Sequence, residues 1–360
     1  MINLDIAHRR LHNQHITRRT IETPQALVKW LGAVQAQDFA AAKWALGLRL
    51  QGVTDDDIEQ AFTDGAILRT HVMRPTWHFV SPADIRWLLA LTAPRVHAAS
   101  AYYNRKLELD DDVFRRTHAV LANVLQGGKQ LTRDELSSAL KLAGIVTEGE
   151  QRVIHIMMRA ELDGIICSGA RRGKQFTYAL LAERAPHARM LDRDEALAEL
   201  TMRYCMSHGP VTLQDFVWWS GLTVVDAKAG LTMVTSHLQQ ETIHGQTYWF
   251  SPSTSPVQDL SQTAYLLPNY DEYTVGYTDR SAIFDALHTN RLDSRGGLLT
   301  NTMVLGGQVI GTWKRAFKKK AVVIEANPFT PLSKTENRAF AASANCFSAF
   351  LRMPVASPWQ

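Results

Sequence analysis

Gln35 and Gln37 stand one residue apart in the run Val34-Gln35-Ala36-Gln37-Asp38-Phe39, at the joint between two helix-patterned segments. A primary amide does not titrate near neutral pH, so neither glutamine can serve as a general base in the ordinary way. Two amides together can hold one water by accepting and donating hydrogen bonds, and can aim carbonyl dipoles at a developing cation. Such help suffices only where the leaving group already departs easily. The plainer reading of the same residues is that they cap backbone groups at a helix junction. Asp38, the adjacent carboxylate, reads first as the N-cap of the next helix and second as a base acting through a water.

Other chemistries lack their residues. The run Gly169-Ala170-Arg171-Arg172-Gly173-Lys174-Gln175 has its second glycine one residue too early for a phosphate loop, and glutamine where a magnesium-binding hydroxyl belongs. There is no His-Glu-x-x-His, no deaminase signature and no Gly-x-Ser-x-Gly. A metal site and a serine nucleophile are therefore unsupported, and no cofactor is expected. Two basic clusters stand out, Arg171, Arg172 and Lys174, then Lys314 and Arg315 running on to Lys318-Lys319-Lys320. They read as phosphate-neutralising groups, or as a solvated loop and an edge strand guarded by lysines.

The elements that carry these residues repeat. Thr132 with Glu135, Thr212 with Asp215, and Thr223 with Asp226 have helix-opening spacing, and each set of helices is followed by a hairpin pattern. Three helices and a β-wing make a winged helix-turn-helix. A divergent first copy has Thr23-Pro24 as cap and first helical residue, Asp38 and Thr54 as further caps, and Ile67 to Val80 as the wing, turning at Met73-Arg74-Pro75-Thr76. Arg69, His71, Arg74, Trp77 and His78 crowd that wing. Alternation assigns Trp77 and Phe79 to the core and His71 and His78 to the wet face, although Trp77 on a cationic hairpin is also a candidate groove wedge. The last segment is β-rich, with a hairpin turning at Gly306-Gly307 and a closing helix capped by Ser333 with Glu336. The expected fold is α+β: winged helices over 1-100, 101-188 and 189-258, then a β-rich region with a C-terminal helix over 259-360.

Composition sets the outer limits. The chain has 360 residues, 46% of them hydrophobic, and 39 Lys+Arg against 35 Asp+Glu for a net charge of +4. That permits an anionic partner without requiring one. No N-terminal apolar run or membrane-length segment is present, and Cys167, Cys205 and Cys346 lie far apart, so a cytoplasmic protein with buried, unpaired cysteines is expected.

Four runs, "AVQAQD", "ILRTHVMRPTWHFV", "LLPNYDEYTVGYTDR" and "GGQVIGTWKR", occur in this order, and with them the chain resembles the winged-helix DNA glycosylases typified by the azinomycin-resistance enzyme AlkZ over nearly its whole length. The resemblance implies three winged helices in a C-shape around a DNA channel, and a monofunctional hydrolase that removes N-alkylated purines of the N7-alkylguanine type, in some members unhooking interstrand crosslinks. It implies Gln35 and Gln37 as the catalytic pair, with Asp38 and His78 as candidate support. Arg69, Arg74, Trp77 and the Gly306-Gly307 hairpin would meet DNA, alongside Arg171, Arg172, Lys174, Lys314 and Arg315. Double-stranded DNA bearing alkylated purines is the expected partner, with no membrane and no obligatory protein partner, in the nucleoid-associated cytoplasm. Other branches of that family have an acid at the second glutamine's place, and this chain keeps both amides. A noncatalytic winged-helix regulator or DNA-architectural protein is the alternative.

Overall fold

Short polar caps decide where the helices start. Thr23 accepts from the Ala26 amide and Pro24 opens the helix Pro24–Leu31; Asp38 accepts from the Ala41 amide and opens Phe39–Arg49. Thr132 with Glu135, and Ser333 with Glu336, form complete capping boxes at Arg133–Leu142 and Lys334–Leu351. Thr223 accepts from the Asp226 amide at Val224–Val234. A computed structural model of the chain describes residues 3–243, 245–252, 260–285, 287–288 and 300–359, and the described elements are the mixture of helix and antiparallel sheet expected of an α+β chain. The expected boundary between the third and fourth segments lies outside the described residues.

Two compact units emerge, each discontinuous in sequence: Met1–Glu59, Ala198–Trp219 and Thr223–Gln360 form one, and Gln60–Leu197 with Ser220–Leu222 the other. In the first, Ala264–Leu267, Thr302–Leu305, Gln308–Phe317, Val322–Pro328 and Val355–Ala356 make a five-stranded sheet, antiparallel except for its last pair. The helices Phe39–Arg49 and Lys334–Leu351 close on one another through Trp44, Phe347 and Phe350, with ring centroids 4.9 and 5.1 Å from Trp44. Gly47 permits that approach, since a Cβ there would sit 2.3 Å from the Phe350 ring. The two buried indoles of Trp44 and Trp313 donate to the carbonyls of Leu266 and Leu267, which satisfies their polar ends inside the core.

The second unit packs the helices Asp111–Leu125, Arg133–Leu142 and Glu150–Leu162 around Leu121, Leu136, Leu140, Ile156 and Met157, with the strands Leu131–Thr132, Thr177–Leu180 and Ile166–Ser168 in that spatial order. The capping and periodicity patterns predict the three helices and the hairpin after them; the short strand Leu131–Thr132, which adds a third strand to that hairpin, was not expected. The hairpin Leu68–Val72 and Arg74–Val80 also belongs to this unit, and here the expected alternation fails. Phe79 is buried as expected, but His71 and His78 are buried too, while Trp77 stays half-buried. The helices Ile85–Lys106 and Glu150–Leu162 both pack on Leu68–Val72, so the strand has no wet face for its polar residues to occupy. The turn is also tighter than expected, with Met73 alone between the strands at φ +64°.

Candidate active site

Gly32, at φ +81°, ends the helix Pro24–Leu31; a Cβ at this position would come within 3.2 Å of the Trp219 ring. The chain then runs extended through Val34–Gln35 and reaches the Asp38 cap two residues beyond Ala36. The pair is thus held between two helix ends, as its position in sequence indicated, but the two amides are differently placed. Gln35 is 8% exposed, whereas Gln37 is on the surface.

The turn Asn269–Glu272 anchors this segment at three points. Glu272 Oε1 accepts from the Gln35 amide N at 2.9 Å, and its Oε2 accepts from Trp219 Nε1 at 2.9 Å and faces His208 Nε2 at 3.4 Å. Asp271 caps the short helix Glu272–Val275 and takes the Arg49 guanidinium in a two-pronged pair, both contacts 2.8 Å. Arg49 also donates to the Gln14 side chain and to the carbonyls of Gln14 and Ala45, so this buried cation is fully engaged. Asn269 Nδ2 reaches Asp38 Oδ2 at 3.3 Å. Burial pushes the His208 imidazole below its ordinary range, although the adjacent Glu272 pulls the other way.

Asp38 performs the capping role read from its spacing, its Oδ1 accepting from Ala41 at 3.0 Å. Arg315 Nη2 stands 4.0 Å from the same oxygen, and desolvation lowers the guanidinium's pKa against the opposing pull of Asp38. A half-exposed carboxylate and a partly buried cation therefore approach each other at the start of the helix that follows the exposed Gln37.

The remaining candidates are scattered by burial. His78 is buried, with Nδ1 3.0 Å from the Thr76 carbonyl. Arg69 is 7% exposed and lies between the Trp77 and Phe176 rings, 4.4 and 4.5 Å from their centroids; desolvation pulls its pKa down to about 10. An interior guanidinium stacked on two rings ties the hairpin to Phe176, so Arg69 is buried where the expectation had an exposed cation. Arg74 and Trp77 are half-buried.

The Gly306-Gly307 turn likewise departs from expectation. Both glycines are buried, and their carbonyls accept from His8 Nε2 at 2.9 Å and Tyr273 Oη at 2.8 Å, so the turn packs on the helix Asn3–Asn13 where an exposed tip was expected. Arg172 is exposed but held by Glu135 at 2.7 Å and the Gln130 carbonyl at 2.8 Å; Arg171 lies over the Phe176 ring, and Lys174 and Lys314 are exposed. Cys167 and Cys205 are buried as expected, whereas Cys346 is exposed on the outer side of its helix. Among the described residues no helix is long and apolar enough to cross a membrane.

The profile of the AlkZ-like DNA glycosylases matches residues 28–350. The chain belongs to that family. The interstrand DNA cross-link repair glycosylase of Streptomyces sahachiroi is 25% identical over 350 residues, covering 91% of this chain and 90% of that one. The solved structure of Streptomyces sahachiroi DNA glycosylase AlkZ superposes with a TM-score of 0.79 at 21% identity, covering 98% of each chain. The α+β fold is therefore shared with a DNA glycosylase of this family over almost its entire length.

Sequence reasoning missed Glu272, His208, Trp219 and Arg49. The signal for the acids was present: Asp271 and Glu272 sit in the apolar and aromatic run from Ala264 to Tyr277, where a surface charge has no reason to be.

Proposed function

We propose that this chain is a monofunctional DNA glycosylase that hydrolyses the N-glycosidic bond of N-alkylated purines, with Gln35 and Gln37 as its catalytic pair. The observation that carries this reading is the anchored junction: in a chain of a DNA glycosylase family, two amides stand on a segment gripped on both sides, one partly inside and one at the surface. A purine alkylated at N7 bears a positive charge, so its bond to the sugar is already weakened. As that bond lengthens the sugar gains oxocarbenium character and a water must be delivered to C1′. Gln37, exposed, meets the water and the sugar; Gln35, fixed from behind, supplies its carbonyl dipole toward the growing charge. The relative from Streptomyces sahachiroi is named for interstrand crosslinks, and unhooking such a lesion is the corresponding proposal for this chain. A tethered base cannot be fully extruded, so excision without a closed base pocket suits that substrate.

Segments 1–100, 101–188 and 189–258 are read as winged helices, with Arg74, Trp77, Arg171, Lys174 and Lys314 as groups able to meet phosphate or a groove edge. Duplex DNA carrying 7-methylguanine tests the reading. The wild-type chain should release the base and leave an abasic site, and Gln35→Ala/Gln37→Ala together should abolish release while retaining DNA binding. Wild-type-like release by the double variant refutes the catalytic assignment, and binding to intact duplex with no release by the wild type indicates a noncatalytic DNA-binding protein.

A further inference from the structure

We infer that Glu272 is a positioning residue for the glutamine pair: a buried carboxylate that sets the pose of Gln35 through its main-chain amide. The inference rests on the functional reading above and assigns part of its machinery. Glu272 is 1% exposed, and an interior carboxylate is costly unless donors surround it. Here the donors come from three separate stretches of chain: the Gln35 amide, the Trp219 indole and the His208 imidazole. A main-chain N–H needs only a neutral acceptor to be satisfied. A charged one makes the bond shorter and stronger, and fixes it in direction.

The surrounding contacts show what is being fixed. Trp219, which aims Glu272 Oε2, also lies under Gly32 at the turn before Gln35. Asp271, one residue before Glu272, clamps Arg49 at the far end of the helix that follows Gln37, and Asn269 holds Asp38 at its near end. The turn therefore grips the chain at and after the pair, and Trp219, bonded to that turn, meets the chain just before it, with the exposed Gln37 between these held points. Since displacement of a reacting group by about 1 Å can cost about a hundredfold in rate, holding the segment is a catalytic contribution even though Glu272 does not touch the substrate.

Single-turnover release of 7-methylguanine from duplex DNA, with the Kd for the same DNA and the Tm measured alongside, tests this on the full chain. Glu272→Gln keeps the size and one oxygen for the Gln35 amide but removes the charge and sets an amide N–H against Trp219 or His208. Release should fall at least ~10-fold at unchanged Kd, a split that a role in general stability does not produce. Trp219→Phe removes the donor that aims Oε2 and spares the Gln35 contact; it should lower the rate in the same sense, and it carries the test should Glu272→Gln not fold. Full activity in these variants overturns the role of Glu272 alone, as does a rate loss that tracks loss of DNA binding or of Tm. Absence of release by the wild type overturns the functional reading itself and this assignment with it.

Discussion

Arg49→Met removes a buried guanidinium while roughly preserving the volume of its stem. The variant leaves Asp271, fully buried, without its cation, and strips donors from the Gln14 side chain and from two carbonyls. Breaking one side of a buried ion pair costs about 3–5 kcal/mol, because the remaining charge has lost its compensation. At ~2–4 °C per kcal/mol for a cooperative unit of about 200 residues, Tm should fall by roughly 6–20 °C. The fall is assayed by calorimetry beside Asp271→Asn and the combined variant. Asparagine caps a helix about as well as aspartate, so Asp271→Asn should cost less in the Arg49→Met background than in the wild type, by about 0.5–3 kcal/mol of coupling. Base release should also drop in Arg49→Met, since Asp271 precedes the residue that holds Gln35. A cost under ~1 kcal/mol for Arg49→Met, or costs of the two substitutions that simply add in the combined variant, would show that the pair is not the anchor described.

Asp38→Ala should cost about 1 kcal/mol by removing a helix cap, whereas Asp38→Asn should keep both the cap and base release within a few-fold. A large rate loss in Asp38→Asn at unchanged Tm would instead assign the carboxylate a proton-transfer role. Acid should destabilise the protein through His208. Its folded pKa lies below the ordinary 6.5, burial being the larger cause, so the unfolded chain takes up a proton that the folded one refuses. The stability held in the neutral ring is complete above that pH and is lost as pH falls below it, at up to ~1.4 kcal/mol per pH unit. Tm measured from pH 8 to 5 should decline less steeply in His208→Gln, with His12, His15, His118 and His155, also lowered mainly by burial, leaving a residual slope. Identical slopes in variant and wild type would rule His208 out as the source.

What the sequence made legible was local. Thr23, Asp38, Thr132, Thr223 and Ser333 announce helix starts because a cap depends on a residue and its neighbours within one turn of chain. The Gly306-Gly307 turn was legible for the same reason, but its burial was not, since that depends on a helix nearly three hundred residues earlier. His71 and His78 were misplaced because period-two alternation tells the two faces of a strand apart only when one of them meets water.

The same distinction explains why Gln35 and Gln37 were legible as a pair while the residue that positions them was not. Chemistry advertises itself by residue type at close spacing; support comes from wherever the fold brings a partner, and Glu272 lies 237 residues from Gln35. A carboxylate in sequence looks like a surface residue, and only its setting in the run Leu266-Leu267-Pro268-Asn269-Tyr270-Asp271-Glu272-Tyr273 argues otherwise. Charges placed in an apolar run must be paired inside or must break the run, and here both acids are paired. If the junction works by being held still, neutralising the partner 237 residues away should slow base release as surely as altering a residue beside the glutamines.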